Sequence, residues 1–405
     1  MAGETSVGGV QKAGPPLAGP AAAPPTAADL TAAFRSYWKD FEAAGDQAEQ
    51  ARTLPSNAVT ILRGLGAFWL KTPAELGGNP LDPLSFCDVI EELAYIDVSV
   101  AWAAMIGAGC TGVAAGWLPD ACVRVMFAPG RPLPVVAGQL SPRGTGTPVD
   151  GGYLVSGRWG FSSGIAHADW LLGMFAVTGA SSGQQRRMIF AIPKGQAQVL
   201  DDWHVAGLRG TGSLGWEVAS LFVPAGHTYE VGAAAVRGGS LFRLGMPAFT
   251  SNEVPPVCIG LARRVLDDMT ALATCTARIP GGPAVSGRAV FQKELGRGEV
   301  RVRAARLVHR EAMAAMWDTA KSGAMPSTDQ HIAGTVASVF VAETCADVVT
   351  DLFRFGGGRV LALSSPMQRR LRDVLAARQH VGLSEETYEA AGLRRIQSAT
   401  TREPQ

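Results

Sequence analysis

The stretch Gly157-Arg158-Trp159-Gly160-Phe161-Ser162-Ser163-Gly164-Ile165-Ala166-His167-Ala168-Asp169-Trp170 decides how the rest of the chain is read. A strand-like run, Gly152-Tyr153-Leu154-Val155-Ser156, precedes it, and another, Trp170 to Val177, follows. Aromatic rings, two hydroxyls and a glycine are thus set into a β-rich region. Rings can wall a planar ligand, and serine hydroxyls can give or accept a hydrogen bond with its ring heteroatoms. The glycine lets the backbone turn or come close. The same words also suit a plain hairpin with a buried tryptophan and a capping serine, so their weight comes from the flanking chain.

The chain has 405 residues, enough for two or three packed units. It is 47% hydrophobic and 18% charged, a globular profile on the apolar side that favours large buried interfaces and hence an oligomer. A net charge of +1 leaves no footprint for nucleic acid or a membrane surface. Six cysteines (Cys87, Cys110, Cys122, Cys258, Cys275 and Cys345) are scattered without a CxxC. They read as free thiols in a reducing cytoplasm, with no metal cluster. No apolar run is read as long enough to span a bilayer, and no secretory signal is seen.

Residues 1–27 are Gly, Ala and Pro with almost no large apolar side chains, and are expected to be disordered. Residues 28–133 carry helical periodicity: Leu30, Phe34, Trp38 and Phe41, then Phe86, Val89, Ile90 and Leu93 behind a cap at Asp82 or Ser85. Ser99 to Trp117 is apolar and rich in small residues, which suits a helix buried on most sides. Glu91 and Glu92 are either a carboxylate pair with a task or, on the blander reading, solvated or arginine-paired. Residues 134–235 read as strands separated by Gly, Pro, Asp and Ser, an antiparallel barrel or sandwich. Residues 236–405 return to helix. One stripe is Ile259, Ala262, Val265, Leu266 and Met269; a second helix carries Val300, Ala304, Leu307, His309 and Met313. A third runs from Ile332 to Phe355 and a fourth from Ser365 to about His380, together an antiparallel bundle.

Three further stretches could carry chemistry. Trp203-His204-Val205-Ala206-Gly207-Leu208-Arg209-Gly210-Thr211-Gly212-Ser213 could form an anion-binding nest with a fixed charge, or only a hairpin turn. It is neither a Walker loop nor a dinucleotide fingerprint, since no Gly-Lys-Ser/Thr and no helix follow. Phe355-Gly356-Gly357-Gly358-Arg359 holds more glycine than a helix cap needs, so it could admit a pyrophosphate or adenine, or be a flexible loop. Arg372-Asp373 leads on to His380, either a helix cap or an acid–base group aimed at a ligand.

Taken together, these words and their order resemble the acyl-CoA dehydrogenase fold over nearly all of the chain after residue 28. Within it they resemble most the group D flavin-dependent monooxygenases, the oxygenase components of two-component hydroxylases. The resemblance implies an α+β protein with an N-terminal helical domain, a central antiparallel β-barrel and a C-terminal four-helix bundle. What separates the branches is the base. Dehydrogenases of the family carry a glutamate after an Arg-Asp helix, where this chain has His380-Val381-Gly382; Tyr388-Glu389-Ala390 lies eight residues later. Glu253 falls near the family's second location for that base. An acyl-CoA dehydrogenase or oxidase using Glu253, or a non-catalytic flavin- or ligand-binding relative, therefore stand as alternatives.

The hydroxylase resemblance implies a reduced FAD or FMN, supplied by a separate NAD(P)H-dependent flavin reductase, and O2 as cosubstrate. A C4a-hydroperoxyflavin would oxygenate an aromatic or amine small molecule in secondary metabolism or catabolism. It places Ser163, with Ser162 second, near flavin N5, and His380 as the group that orients or deprotonates the substrate. Trp159 and Phe161 would pack by the isoalloxazine, while Arg209, Thr211 and Ser213 would hold the ribityl or phosphate end. Gln292 and Gly356, Gly357 and Gly358 would reach a flavin held mainly by a neighbouring subunit of a homotetramer or homodimer.

Overall fold

The computed structural model describes residues 24–179, 185–250, 253–275 and 284–400. Most of the tail expected to be disordered lies outside the described residues; its end is ordered. The Thr26 hydroxyl accepts from the Asp29 amide while the Asp29 carboxylate accepts from the Thr26 amide. This reciprocal cap starts α1 (Ala27–Ser36). Helices α2 (Trp38–Ala51) and α3 (Ser56–Gly64) follow, then α4 (Pro83–Ile96), α5 (Val98–Trp117) and α6 (Asp120–Met126). Asp82 caps α4 through the amides of Leu84 and Ser85, and Asp97 caps α5 through that of Val100.

Helix α5 is the spine of the N-terminal part. Every residue in it is buried except Ile106 and Cys110. Its small residues let neighbours approach to backbone distance: a Cβ on Gly112 would lie 2.8 Å from the Lys71 carbonyl. Contrary to the reading of the sequence, two helices are long and apolar enough to cross a bilayer, α5 and α11 (Thr328–Phe353). The apolar window of α5 is 89% buried and that of α11 61% buried inside the protein, so both serve as core elements. Glu91 and Glu92 are also core elements. Glu91 is paired with Arg263 and Arg306, and Glu92 with Arg35, so both carboxylates tie helices together.

The sheet comprises β1 (Val136–Val149), β2 (Gly152–Trp159), β3 (Trp170–Val177), β4 (Arg187–Pro193), β5 (Gln198–Val199), β6 (Trp216–Pro224) and β7 (Thr228–Glu230). Its order is β5-β6-β2-β1-β3-β4-β7. The expected antiparallel barrel is corrected here to a mixed sheet, because β1 and β3 pair in parallel, Val136 opposite Trp170. The reason lies in the connection. After β2 the chain must pass the start of β1 to reach its far side, so residues 160–169 form a crossover and not a hairpin turn. The Asp169 amide donates to the Val135 carbonyl at 2.7 Å and the Val135 amide to Asp169 Oδ2 at 2.8 Å, pinning that passage. Trp159, Phe175, Phe190 and Trp216 fill the inside of the curled sheet.

Short helices α7 (Gly239–Phe242) and α8 (Gly245–Thr250) lead to the long ones, α9 (Val254–Cys275), α10 (Ala289–Lys321), α11 and α12 (Pro366–Ala377), with α13 (Glu386–Thr400) appended. The α9 stripe of Ile259, Ala262, Val265, Leu266 and Met269 is buried as expected. On α10 the inward face is instead Val302, Ala305, His309 and Met313, and Val300 and Leu307 point outward. Fully burying each aliphatic side chain of such a stripe is worth about 1.5–3 kcal/mol.

Candidate active site

The crossover aims two adjacent serines in opposite directions. Phe161 adopts φ 55°, a left-handed turn uncommon outside glycine. Ser162 is fully buried under the sheet, where its Oγ accepts from Trp216 Nε1 at 3.0 Å. Ser163 faces α5: its Oγ accepts from Trp102 Nε1 at 3.0 Å and lies 2.7 Å from Ser213 Oγ. Ser213 Oγ is in turn 2.7 Å from Thr211 Oγ1, which donates to the Leu208 carbonyl at 2.7 Å. One proton per hydroxyl then orients the whole row. Thr211 spends its proton on Leu208, so Ser213 donates to Thr211 and Ser163 donates to Ser213. Every donor is used, and Ser163 is left with an oxygen lone pair and no proton to give. Such a row polarises along its length.

The loop that carries Thr211 and Ser213 is docked on α12. Asp373 Oδ1 accepts from the Leu208 amide at 2.7 Å, and burial pushes this carboxyl up to about 7. A Cβ on Gly207 would collide with the Arg372 carbonyl, so the loop sits on the helix backbone. Arg209 donates to the Glu49 carbonyl and pairs with the Glu49 carboxylate at 3.6 Å, which occupies much of its charge. Just past α12, His380 Nδ1 accepts from the Gly382 amide at 3.2 Å, which leaves its proton on Nε2. Burial pushes the imidazole down to about 4, so it is neutral near pH 7. Its ring meets the edge of Trp102 at 5.8 Å and 71°.

Trp102 therefore joins the two predicted ends of the site, with its N–H on Ser163 and its ring on His380. The sequence reading passed over it. The signal available was a single large indole in a helix of small residues, whose N–H must find a partner once buried. Lys71 was also passed over. Its Nζ pairs with Glu253, donates to the Phe249 carbonyl, and lies 4.7 Å from the Phe86 ring centroid and 4.4 Å from that of Phe249. Burial pushes Glu253 up to about 7 even with this ammonium against it.

The remaining predicted residues lie apart. Trp159 is enclosed in the sheet core, stacked on Trp216 at 4.3 Å and donating to the Met174 carbonyl at 2.9 Å. It is not beside the serine row. Phe161 is exposed, edge-on to Trp203 at 5.8 Å. Gln292, on the first turn of α10, is exposed and donates to the Ser286 carbonyl at 2.9 Å. The adjacent Phe291 meets Phe355 at 5.4 Å, which puts Gln292 and the Gly356–Gly358 loop on one patch. Among the described residues no cluster of three or more His, Cys, Asp or Glu could hold a metal.

The residues present fit a reduced flavin. Its N5–H is a donor, and Ser163 offers an acceptor whose own proton is already committed. His380, although desolvated enough to lose its charge, keeps accessible surface, as the wall of a ligand space does. Helices, mixed sheet and helical bundle, converging on a hydroxyl row and a neutral imidazole, define a protein of the acyl-CoA dehydrogenase fold.

Comparison with known proteins agrees. The chain belongs to the acyl-CoA dehydrogenase family: residues 27–116 match the acyl-CoA dehydrogenase N-terminal domain and residues 254–385 the acyl-CoA dehydrogenase C-terminal domain. It is 26% identical over 344 residues to indole-3-acetate monooxygenase of Pseudomonas putida, covering 85% of this chain and 87% of that protein. It is 26% identical to the oxygenase component of an FADH2-dependent resorcinol hydroxylase of a Rhizobium species, covering 90% and 92%. Among solved structures, XiaF from a Streptomyces species, in complex with FADH2 and glycerol, superposes with a TM-score of 0.84 at 22% identity, covering 90% and 94%.

Proposed function

We propose that this chain is the oxygenase component of a two-component flavin-dependent monooxygenase that hydroxylates an aromatic small molecule. A separate NAD(P)H-dependent reductase delivers reduced FAD or FMN. Bound flavin supplies two electrons and carries the oxygen, so that a ring C–H, O2 and two protons yield C–OH and water. The observation that carries this reading is the convergence of Ser163, Trp102 and His380, with a committed hydroxyl row behind the serine.

In this reading Ser163, and not the sheet-facing Ser162, accepts from flavin N5–H. Thr211 and Ser213 hold Ser163 in that state. His380, neutral and with its proton on Nε2, donates to a substrate oxygen and orients it, a role that needs no titration near pH 7. The apolar residues of α5 would exclude water from a flavin held beside Ser163. Arg209 flanks the ribityl or phosphate end. Gln292 with Gly356, Gly357 and Gly358 reaches the flavin of a neighbouring copy in a homotetramer or homodimer. Outward apolar side chains at Leu363, Val381 and Val300 support such an association. Six free thiols suit a reducing cytoplasm.

The dehydrogenase alternative needs a free carboxylate, and Glu253 is instead bound to Lys71. The deciding experiment combines the purified chain, a flavin reductase, NADH and 18O2 with a panel of phenols and indoles. One labelled oxygen in the product is expected. Peroxide as the only product, or bleaching of bound oxidised flavin by an acyl-CoA, would refute the reading.

A further inference from the structure

The sheet carries a polar row that the site above does not use. Phe175 and Val177 point into the sheet core, so Ala176 between them faces the other way. Ser156 stands opposite Thr145, Thr145 opposite Ala176, and Ala176 opposite Arg187. These four residues therefore cross β2, β1, β3 and β4 on one face, a row about 14 Å long at the usual strand spacing. Arg143 joins the row through an irregularity. Met174 and Phe175 are consecutive on β3, yet their partners on β1 are Pro142 and Gly144. Arg143 is the extra residue of that bulge, and a bulge re-aims the side chain it carries.

Arg143, Arg187, Thr145, Ser156 and Gln185 line one cleft of about 760 Å3, and no acidic residue lines it. Its floor is small, made of Ala176 and the facing pair Gly144 and Gly157. Two other arginines of the sheet, Arg158 and Arg186, are paired with Asp202 and Glu230. Arg143 and Arg187 have neither an ion pair nor a side-chain hydrogen bond among the described residues. The serine is set to donate. Ser220, at φ 48° where β6 loses register with β2, gives its amide proton to Ser156 Oγ at 2.8 Å. With its oxygen already accepting, Ser156 has its own proton free for a ligand. Two unpaired guanidiniums and these donors, with no competing carboxylate, match an oxyanion of two negative charges.

We propose that this cleft is a binding site for a phosphate monoester, separate from the serine row at Ser163. Arg143 and Arg187 hold the dianionic phosphate, and Ser156 and Thr145 donate to its remaining oxygens. A cleft of this volume suits a small organic ligand, so the organic part of the ester lies over Ala176 and the two glycines. The site needs no flavin and stands independently of the monooxygenase reading.

The test is isothermal titration calorimetry of the full chain with AMP and phenyl phosphate, two monoesters with different organic parts, against adenosine and orthophosphate. Wild type is expected to bind both monoesters, and AMP at least about tenfold more tightly than adenosine or orthophosphate. Arg143→Gln and Arg187→Gln remove exposed side chains, so the urea midpoint should hold while AMP binding weakens about tenfold in each, the worth of one charge-assisted hydrogen bond. Ser156→Ala should weaken it about threefold. Saturating FADH2, which carries no monoester, should leave AMP affinity unchanged under anaerobic conditions. Monoesters bound no more tightly than adenosine, orthophosphate bound as tightly as AMP, or AMP affinity unchanged in both arginine variants would each overturn the proposal. So would displacement of AMP by FADH2, since the cleft would then belong to the flavin. A chain that fails to hold FADH2 would count only against the functional reading above, and the AMP titration would stand by itself.

Discussion

Removing the Ser163 hydroxyl tests the hydrogen-bond row at its functional end. In Ser163→Ala, the Trp102 N–H loses its acceptor in a side chain that is 5% exposed. An unsatisfied buried donor costs about 1–3 kcal/mol. In Trp102→Phe the donor itself goes, Ser163 keeps its proton on Ser213, and the loss is about 1 kcal/mol plus the smaller ring's lost contacts. The double variant carries no orphaned N–H. Its destabilisation should therefore fall short of the sum of the singles by about 1–2 kcal/mol. Urea unfolding of the four proteins measures this cycle. The functional arm is anaerobic binding of FADH2: loss of the N5–H acceptor should weaken it about fivefold to tenfold in Ser163→Ala. Trp102→Phe, which keeps that acceptor, should change it far less. Strict additivity in urea would show that Trp102 and Ser163 are not coupled. Wild-type FADH2 affinity in Ser163→Ala would remove the serine from the cofactor site.

Four further outcomes are expected. His380→Asn should lower the yield of hydroxylated product per NADH in favour of peroxide; because burial holds His380 near 4, the wild-type yield should show no titration of this group between pH 5.5 and 8, and a step near 6.5 would contradict that. Asp373 has a folded pKa of about 7, above its unfolded value, so its contribution to stability is present at low pH and lost as pH rises through 4 to 7; Asp373→Asn, which keeps an acceptor for Leu208, should flatten that dependence in thermal melts, and an unchanged slope would refute the assignment. Gly260→Ala would push a Cβ into the Glu91 carbonyl where α9 crosses α4, an overpacking cost of about 1–3 kcal/mol visible in urea midpoints. Gln292→Ala should weaken FADH2 binding without altering the unfolding midpoint, and equal FADH2 affinity would detach the α10 patch from the flavin.

Much of this molecule is legible along the chain because its signals are local. The Asp82 cap, the buried composition of α5 and the α9 stripe depend on residues a few positions apart, and each reads directly as a helix. Ser163 and His380 were legible as words shared with a family. Trp159 was not, because alternation along β2 decides only that one face is inside, and which aromatic fills the sheet depends on partners in β4 and β6. Phe161 likewise takes its outward aim from a single left-handed residue in the crossover.

The amino-acid order by itself determined the helix–sheet–helix succession, the serine pair, and the histidine where a dehydrogenase of this family carries glutamate. Only the tertiary structure decided which serine faces α5, that Trp102 bridges it to His380, and that Lys71 holds Glu253. The physical reason is range. Helix caps and apolar periodicity act within one or two turns, whereas Trp102 and Ser163 are separated by 61 positions and Lys71 and Glu253 by 182. Such partners meet only when the parallel pairing of β1 with β3 carries the crossover over to α5, and when α9 closes against α4.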